Sequence, residues 1–155
     1  MNSQMDLPFD PDSPWEVSWR FEGDEFETIH ALAEEISLKA RSNVFEQGDE
    51  SDGMYLVLDG YALVIATDPE SSIERTVGII TPGQSFGELG LLVQQPRLAT
   101  VSAGTDLKVL KITPEVLATL EDQQPSLASM MYKRLARTLA TQLIAQGNLL
   151  RTAEK

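Results

Sequence analysis

The chain contains no cysteine and a single histidine, His30. Without thiols it forms no disulfide, carries no thiolate nucleophile and offers no thiolate metal site. One imidazole cannot make the histidine cluster of a zinc or cupin-type centre. Metal and cofactor chemistry are therefore not expected, and the sequence reads as a binding protein rather than an enzyme. His30 falls beside an apolar stripe and is expected at a helix surface. Long apolar runs are absent as well. No segment reaches the roughly 20 consecutive apolar residues of a membrane span, and the first residues lack the basic flank and apolar core of a signal peptide. A cytoplasmic protein without membrane contact is expected. Positive charge is scarce too: 12 Lys and Arg face 24 Asp and Glu, for a formal charge of -12. Such a field repels nucleic acid unless a dense basic patch overrides it. The basic cluster near the end, Lys133, Arg134 and Arg137, has the spacing of a wet helix face, so nucleic acid is not an expected partner.

What is present suffices for one domain: 155 residues with 42% apolar content support one ordinary core and no second full-sized domain. Residues 1–14 hold Pro8, Pro11 and Pro14 among Asp and Ser and read as an extended or disordered arm. Residues 15–35 open with Trp15, Val17, Trp19 and Phe21 alternating with polar residues, a half-buried strand that covers a barrel or docks a partner. Asp24 and Glu27 then have capping-box spacing, and Phe26, Ile29 and Ala33 continue as a short helix. Residues 36–112 carry β-prone runs at 44–45, 54–58, 61–65, 73–80, 99–103 and 107–112, and evenly spaced short strands mean a sandwich or barrel. Asp59-Gly60 predicts a tight hairpin with positive φ at both central residues, and Thr81-Pro82-Gly83 predicts another turn. Residues 113–155 read as two helices. Thr113-Pro114 starts a short one reaching about Leu120, and Pro125 opens a long one in which Leu127, Met131, Leu135, Leu139 and Leu143 recur every four residues. Ala136, Ala140 and Ile144 widen this stripe beyond what one barrel needs, which predicts a possible homodimer through residues 125–150.

The chemically informative segment is 86–101, Phe-Gly-Glu-Leu-Gly-Leu-Leu-Val-Gln-Gln-Pro-Arg-Leu-Ala-Thr-Val. Gly87 and Gly90 bracket an expected one-turn helix over residues 88–92, whose free N–H groups would face an approaching anion. Gly87 also lets backbone come close to a ligand. Arg97 supplies a planar fork of donors matched to two phosphate oxygens. Glu88 beside an anion site needs a reason, and a sugar hydroxyl gives one: a carboxylate accepts from a ribose 2′-OH while the arginine neutralises the phosphate.

Phe86-Gly87-Glu88-Leu89 with Pro96-Arg97-Leu98-Ala99-Thr100-Val101 resembles the phosphate-binding cassette of the cyclic-nucleotide-binding domains found in catabolite-activator-type regulators, kinase regulatory subunits and gated channels. Upstream, Phe45, Gly48-Asp49, Tyr55 and Gly60 fall where that family has its first barrel turns, so the resemblance spans about residues 36–145. It implies a mainly β fold with flanking helices: a double-stranded β-helix, or jelly-roll, barrel with a short N-terminal helix and two C-terminal helices. It also implies a ligand cradled by Phe86 and the backbone at Gly87, Leu89, Gly90, Leu98 and Ala99, with Glu88 on ribose and Arg97 on phosphate. Three departures stand out. Ser42 replaces a common glycine at the first turn, and the segment from Trp15 to Phe21 replaces part of the usual helical lead-in. Leu98 stands where members preferring cGMP tend to have Thr or Ser to bond the guanine, and leucine has no donor or acceptor to offer.

The expected function is thus a stand-alone bacterial sensor of a cyclic nucleotide, cAMP before cGMP, relaying its state through the C-terminal helices to a protein partner. A receptor for a larger ligand such as c-di-GMP is one alternative, and a nucleotide-independent interaction module with a vestigial pocket is another. Only residues 151–155 follow Leu150, too few for the helix-turn-helix of the DNA-binding regulators.

Overall fold

Short strands separated by turns, then helices, make up the described part of the chain, residues 19–153 of a computed structural model. In order these are α1 (Glu25–Leu32), β1 (Glu34–Leu38), β2 (Asn43–Phe45), β3 (Met54–Asp59), β4 (Ala62–Thr67), β5 (Glu74–Ile80), β6 (Ser85–Phe86), α2 (Leu89–Leu92), β7 (Thr100–Ala103), β8 (Leu107–Ile112), α3 (Pro114–Gln123) and α4 (Pro125–Ala153). The strands form two four-stranded sheets, β1-β8-β3-β6 and β2-β7-β4-β5. Antiparallel pairs join β1 with β8, β2 with β7, β3 with β6 and β4 with β5, so the first four strands pair in reverse with the last four. This is the jelly-roll barrel that the cassette resemblance implies.

The apolar run at 54–58 is continuous rather than alternating because β3 is buried on both faces, while β8 interrupts its apolar residues only with Lys108 and Lys111. Tyr55, Val57, Leu107 and Val109 face the barrel interior with Ala62, Phe86, Val101 and Ala103. Met54, Leu56, Leu110 and Ile112 face the other way, into a second core with Ile29, Leu117, Leu120 and Met131 from the helices. Three layers result, helices on sheet on sheet. On the long helix, Leu127, Met131 and Leu135 are buried in that core, whereas Leu143 and Ile144 are exposed. The apolar stripe is longer than the sheet it covers. The side chains at 148–150, part of the expected dimer segment, lie outside the described residues.

Several local expectations need correction. Asp59-Gly60 forms no hairpin: β3 and β4 lie in different sheets, and the chain uses Gly60 to cross between them. Gly60 has φ +80, but Asp59 has no positive φ, so the primed turn is not made. The crossing is tied instead to its neighbour between β7 and β8, with the Gly104 N–H donating to Tyr61 O at 2.9 Å and the Tyr61 N–H donating to Thr105 Oγ1 at 3.1 Å. The true hairpin of this region joins β4 to β5, closed by the Asp68 N–H donating to Ile73 O at 2.9 Å. Thr81-Pro82-Gly83 does turn, with the Gln84 N–H donating to Thr81 O at 3.0 Å. In the expected strand from Trp15 to Phe21, residues 15–18 lie outside the described residues, as do the arm at 1–14 and residues 154–155. Residues 19–21 are not strand. Trp19 is instead a single anchor, its backbone N–H donating to Gly83 O at 2.6 Å. Asp24 makes no side-chain cap on α1; the Glu25 carboxylate accepts from the Glu22 N–H in its place, at 2.6 Å. Thr113 does cap α3, its Oγ1 accepting from the Val116 N–H at 3.3 Å, and α3 runs to Gln123.

A Cβ at Gly60 would lie 2.1 Å from Asp106 O, in a backbone conformation that L side chains rarely adopt. Gly60→Ala is therefore expected to lower unfolding stability by about 2–4 kcal/mol, read from chemical denaturation midpoints.

Candidate functional site

One cavity of about 240 Å³ collects every residue expected at the site: Phe86, Gly87, Glu88, Leu89, Gly90, Arg97, Leu98 and Ala99. Its apolar wall is the inner face of the β2-β7-β4-β5 sheet, through Phe45, Val64, Ile80 and Val101. From the opposite sheet come Ser85 and Phe86, and from the long helix comes Gln142. Leu98 sits at the rim, 74% exposed.

The sequence around Gly87 explains how the cassette is shaped. Gly87 has φ +73, which turns the chain from β6 into the short helix α2. That helix begins one residue later than expected, at Leu89, with Glu88 in its N-cap position but making no side-chain cap. The Glu88 carboxylate accepts instead from the Ser85 hydroxyl at 3.0 Å, and Ser85 Oγ accepts from the Trp19 indole N–H at 2.8 Å. The Gly90 N–H donates to Gly87 O at 3.0 Å because so short a helix closes on itself. Gly90 matters for a different reason: a Cβ there would come within 2.7 Å of both Arg97 Nη1 and Gly53 O.

Arg97 is held from all sides. Its backbone is pinned to the loop after β2, the Gly48 N–H donating to Arg97 O and the Arg97 N–H to Asp49 O, both at 2.8 Å. Its guanidinium lies over the Phe45 ring, Cζ 4.0 Å from the centroid. Nη2 donates to Gly53 O at 2.8 Å and Nη1 to Gly87 O at 3.2 Å, and Asp52 Oδ1 stands 3.6 Å from Nη2. Nε is buried without a hydrogen-bond partner among the described residues. Burial draws the guanidinium below its ordinary pKa, against the pull of Tyr55, Asp52, Asp49 and Glu88. Arg97 and Glu88 are both buried and share the cavity, yet they form no ion pair with each other. An arrangement of this kind holds an anion at one end and a hydroxyl donor at the other.

Sequence reasoning missed the apolar wall, Ser85, Trp19 and Gln142 as parts of this site. The wall was legible as the inward half of strands already expected, while Gln142 carries no local signal. His30 is exposed, 3.6 Å from Glu35, far from this chemistry in role. Among the described residues no cluster of His, Asp and Glu fits a metal ion, and no helix is long and apolar enough to cross a membrane.

Comparison with known proteins agrees with the geometry. The family model described as cyclic nucleotide-binding domain matches residues 35–124. A curated relative, lysophospholipase nte1 of Aspergillus fumigatus, is 29% identical over 111 residues, 72% of this chain but 7% of that protein. Of solved structures, Thermus thermophilus catabolite activator protein aligns with TM-score 0.76 and 26% identity over 86% of this chain and 61% of that one. The N-terminal domain of a transcriptional regulator from Streptomyces coelicolor A3(2) aligns with TM-score 0.70 and 26% identity, over 82% and 94%.

Gly87→Ala is expected to cost about 1–3 kcal/mol in thermal unfolding. Its Cβ would meet Arg97 Nη1 at 2.7 Å and the Phe45 ring at 3.4 Å in a positive-φ conformation.

Proposed function

The chain belongs to the cyclic nucleotide-binding domain family, and on that premise we propose that it is a sensor that binds cAMP, with Arg97 on the cyclic phosphate and Glu88 on the ribose 2′-OH. The observation that carries this reading is the unpaired coexistence of the two buried charges. A buried guanidinium and a buried carboxylate in one cavity attract each other, and a direct pair is the simplest way to offset the cost of burying both. Here Nε stays unsatisfied and the carboxylate is held apart by Ser85. A cyclic nucleotide supplies both missing partners at once: phosphate oxygens for Nε and the fork, and a sugar hydroxyl for the carboxylate. The Phe45, Val64, Ile80 and Val101 wall suits the apolar faces of sugar and base. Leu98 at the rim favours adenine, since it offers guanine no hydrogen bond.

The protein acts as a sensor rather than a catalyst. Its match to the fungal lysophospholipase covers 111 residues, 7% of that protein, and lysophospholipid hydrolysis is not proposed for this chain. Output passes through the long helix to a protein partner. Gln142 supports that route, because it brings α4 to the cavity itself while Leu143 and Ile144 beside it remain exposed.

Isothermal titration with cAMP, cGMP and c-di-GMP tests the assignment. cAMP is expected to bind tightest, and Arg97→Ala to weaken it by about 2–5 kcal/mol by leaving the phosphate unpaired in the cavity. Tighter binding of c-di-GMP would transfer the assignment to that ligand, and no heat with any of the three would leave a nucleotide-independent interaction module. For the relay, hydrogen exchange across residues 113–145 is expected to slow when cAMP is added. Identical protection with and without nucleotide would remove α4 as the output element.

A further inference from the structure

Among the described residues before α1, Trp19 reaches the binding site through its side chain. The Trp19 indole N–H donates to Ser85 Oγ at 2.8 Å, and the Ser85 hydroxyl donates to Glu88 Oε1 at 3.0 Å. The direction of this chain is forced. An indole N–H only donates and an ionised carboxylate only accepts, so the hydroxyl between them accepts from one and donates to the other. All three residues are buried, where an unpaired polar group is costly and a satisfied network holds its geometry. Ser85 is also the one hydrogen-bond partner of the Glu88 side chain among the described residues, since Glu88 neither caps α2 nor pairs with Arg97. Trp19 is fixed in turn by its backbone bond to Gly83 O at 2.6 Å and by the core it shares with Leu91 and Leu135.

We propose that Trp19 and Ser85 are positioning residues that hold the Glu88 carboxylate for a sugar hydroxyl, so that preference for a 2′-hydroxylated nucleotide depends on the seating of Trp19. The proposal rests on the reading of Glu88 given above. Packing alone does not account for the pattern, because phenylalanine would fill most of the same space without the N–H that the buried Ser85 accepts. The consequence is specific: losing the relay loosens the carboxylate and costs binding energy only for ligands that carry the hydroxyl.

The test titrates wild type, Trp19→Phe, Ser85→Ala and Glu88→Ala with whichever of cAMP and cGMP binds tighter and with its 2′-deoxy form, after circular dichroism has checked each fold. Wild type is expected to prefer the ribose form at least about tenfold, and Glu88→Ala to show almost no preference. Trp19→Phe and Ser85→Ala are expected to cut the preference by about three- to tenfold while leaving affinity for the 2′-deoxy form nearly unchanged. Should Trp19→Phe fail to fold, the smaller Ser85→Ala change decides alone. A wild type with no preference, or no binding, overturns the Glu88 reading and the relay with it. If Glu88→Ala loses the preference but Trp19→Phe and Ser85→Ala keep it in full, even with both ligands weakened equally, the relay alone is overturned.

Discussion

The guanidinium of Arg97 is buried where no counter-ion fully meets it, and much of the surrounding sequence is explained by how that is tolerated. Two carbonyls and an exposed carboxylate satisfy its terminal nitrogens in part, the face of Phe45 stabilises its charge, and Nε is left over. A side chain at position 87 or 90 would crowd this arrangement, because a Cβ at either would lie 2.7 Å from Nη1. The same two glycines therefore shape the backbone and clear the space for the arginine. Holding a donor unsatisfied works against folding and, on the proposed reading, in favour of binding, since a phosphate there would complete a hydrogen-bond set that the protein leaves incomplete.

Periodicity made much of the fold legible, but partnership stayed hidden. Runs such as 54–58 and 107–112 announce strands, yet nothing local says that β3 and β8 lie side by side in one sheet. Asp59-Gly60 shows the limit clearly. The glycine supplies the positive φ that a turn needs, but whether the chain returns along the same sheet or crosses to the other depends on contacts with Thr105 and Asp106, more than 40 residues away. Ser85–Phe86 is too short for any pattern to reveal as a strand. In the amino-terminal segment, alternating aromatics read as a strand because burial of every second residue is common to a ladder and to a side chain lodged in a cleft. Trp19 is the second kind.

The site was readable where it is contiguous and unreadable where it is assembled. Glu88 and Arg97 lie nine residues apart between glycines and a proline, so their chemistry could be argued from spacing. The expected one-turn helix is shorter than spacing suggests, starting at Leu89, and the Gly90 N–H is taken up by Gly87 O. Trp19 and Gln142 approach the cavity from 66 residues before Ser85 and from beyond the barrel's last strand, and only folding brings them there.

The middle sheet gives the site its mechanical link to the helices. Tyr55 of β3 stacks on Phe86 at 5.2 Å, beside Phe45, which lies under Arg97. Its neighbours Met54 and Leu56 point into the helical core, where Leu91 of α2 meets residues of α3 and α4. A cassette that shifts to grip a ligand moves Leu91 within a close-packed cluster, and close-packed interiors respond by discrete repacking rather than by gradual deformation. Trp19 belongs to that same cluster while bonding to Ser85 at the cavity wall. The carboxylate end of the site and the base of the long helix are thus separated by one tryptophan, so the relay proposed for that helix needs only local repacking rather than long-range transmission.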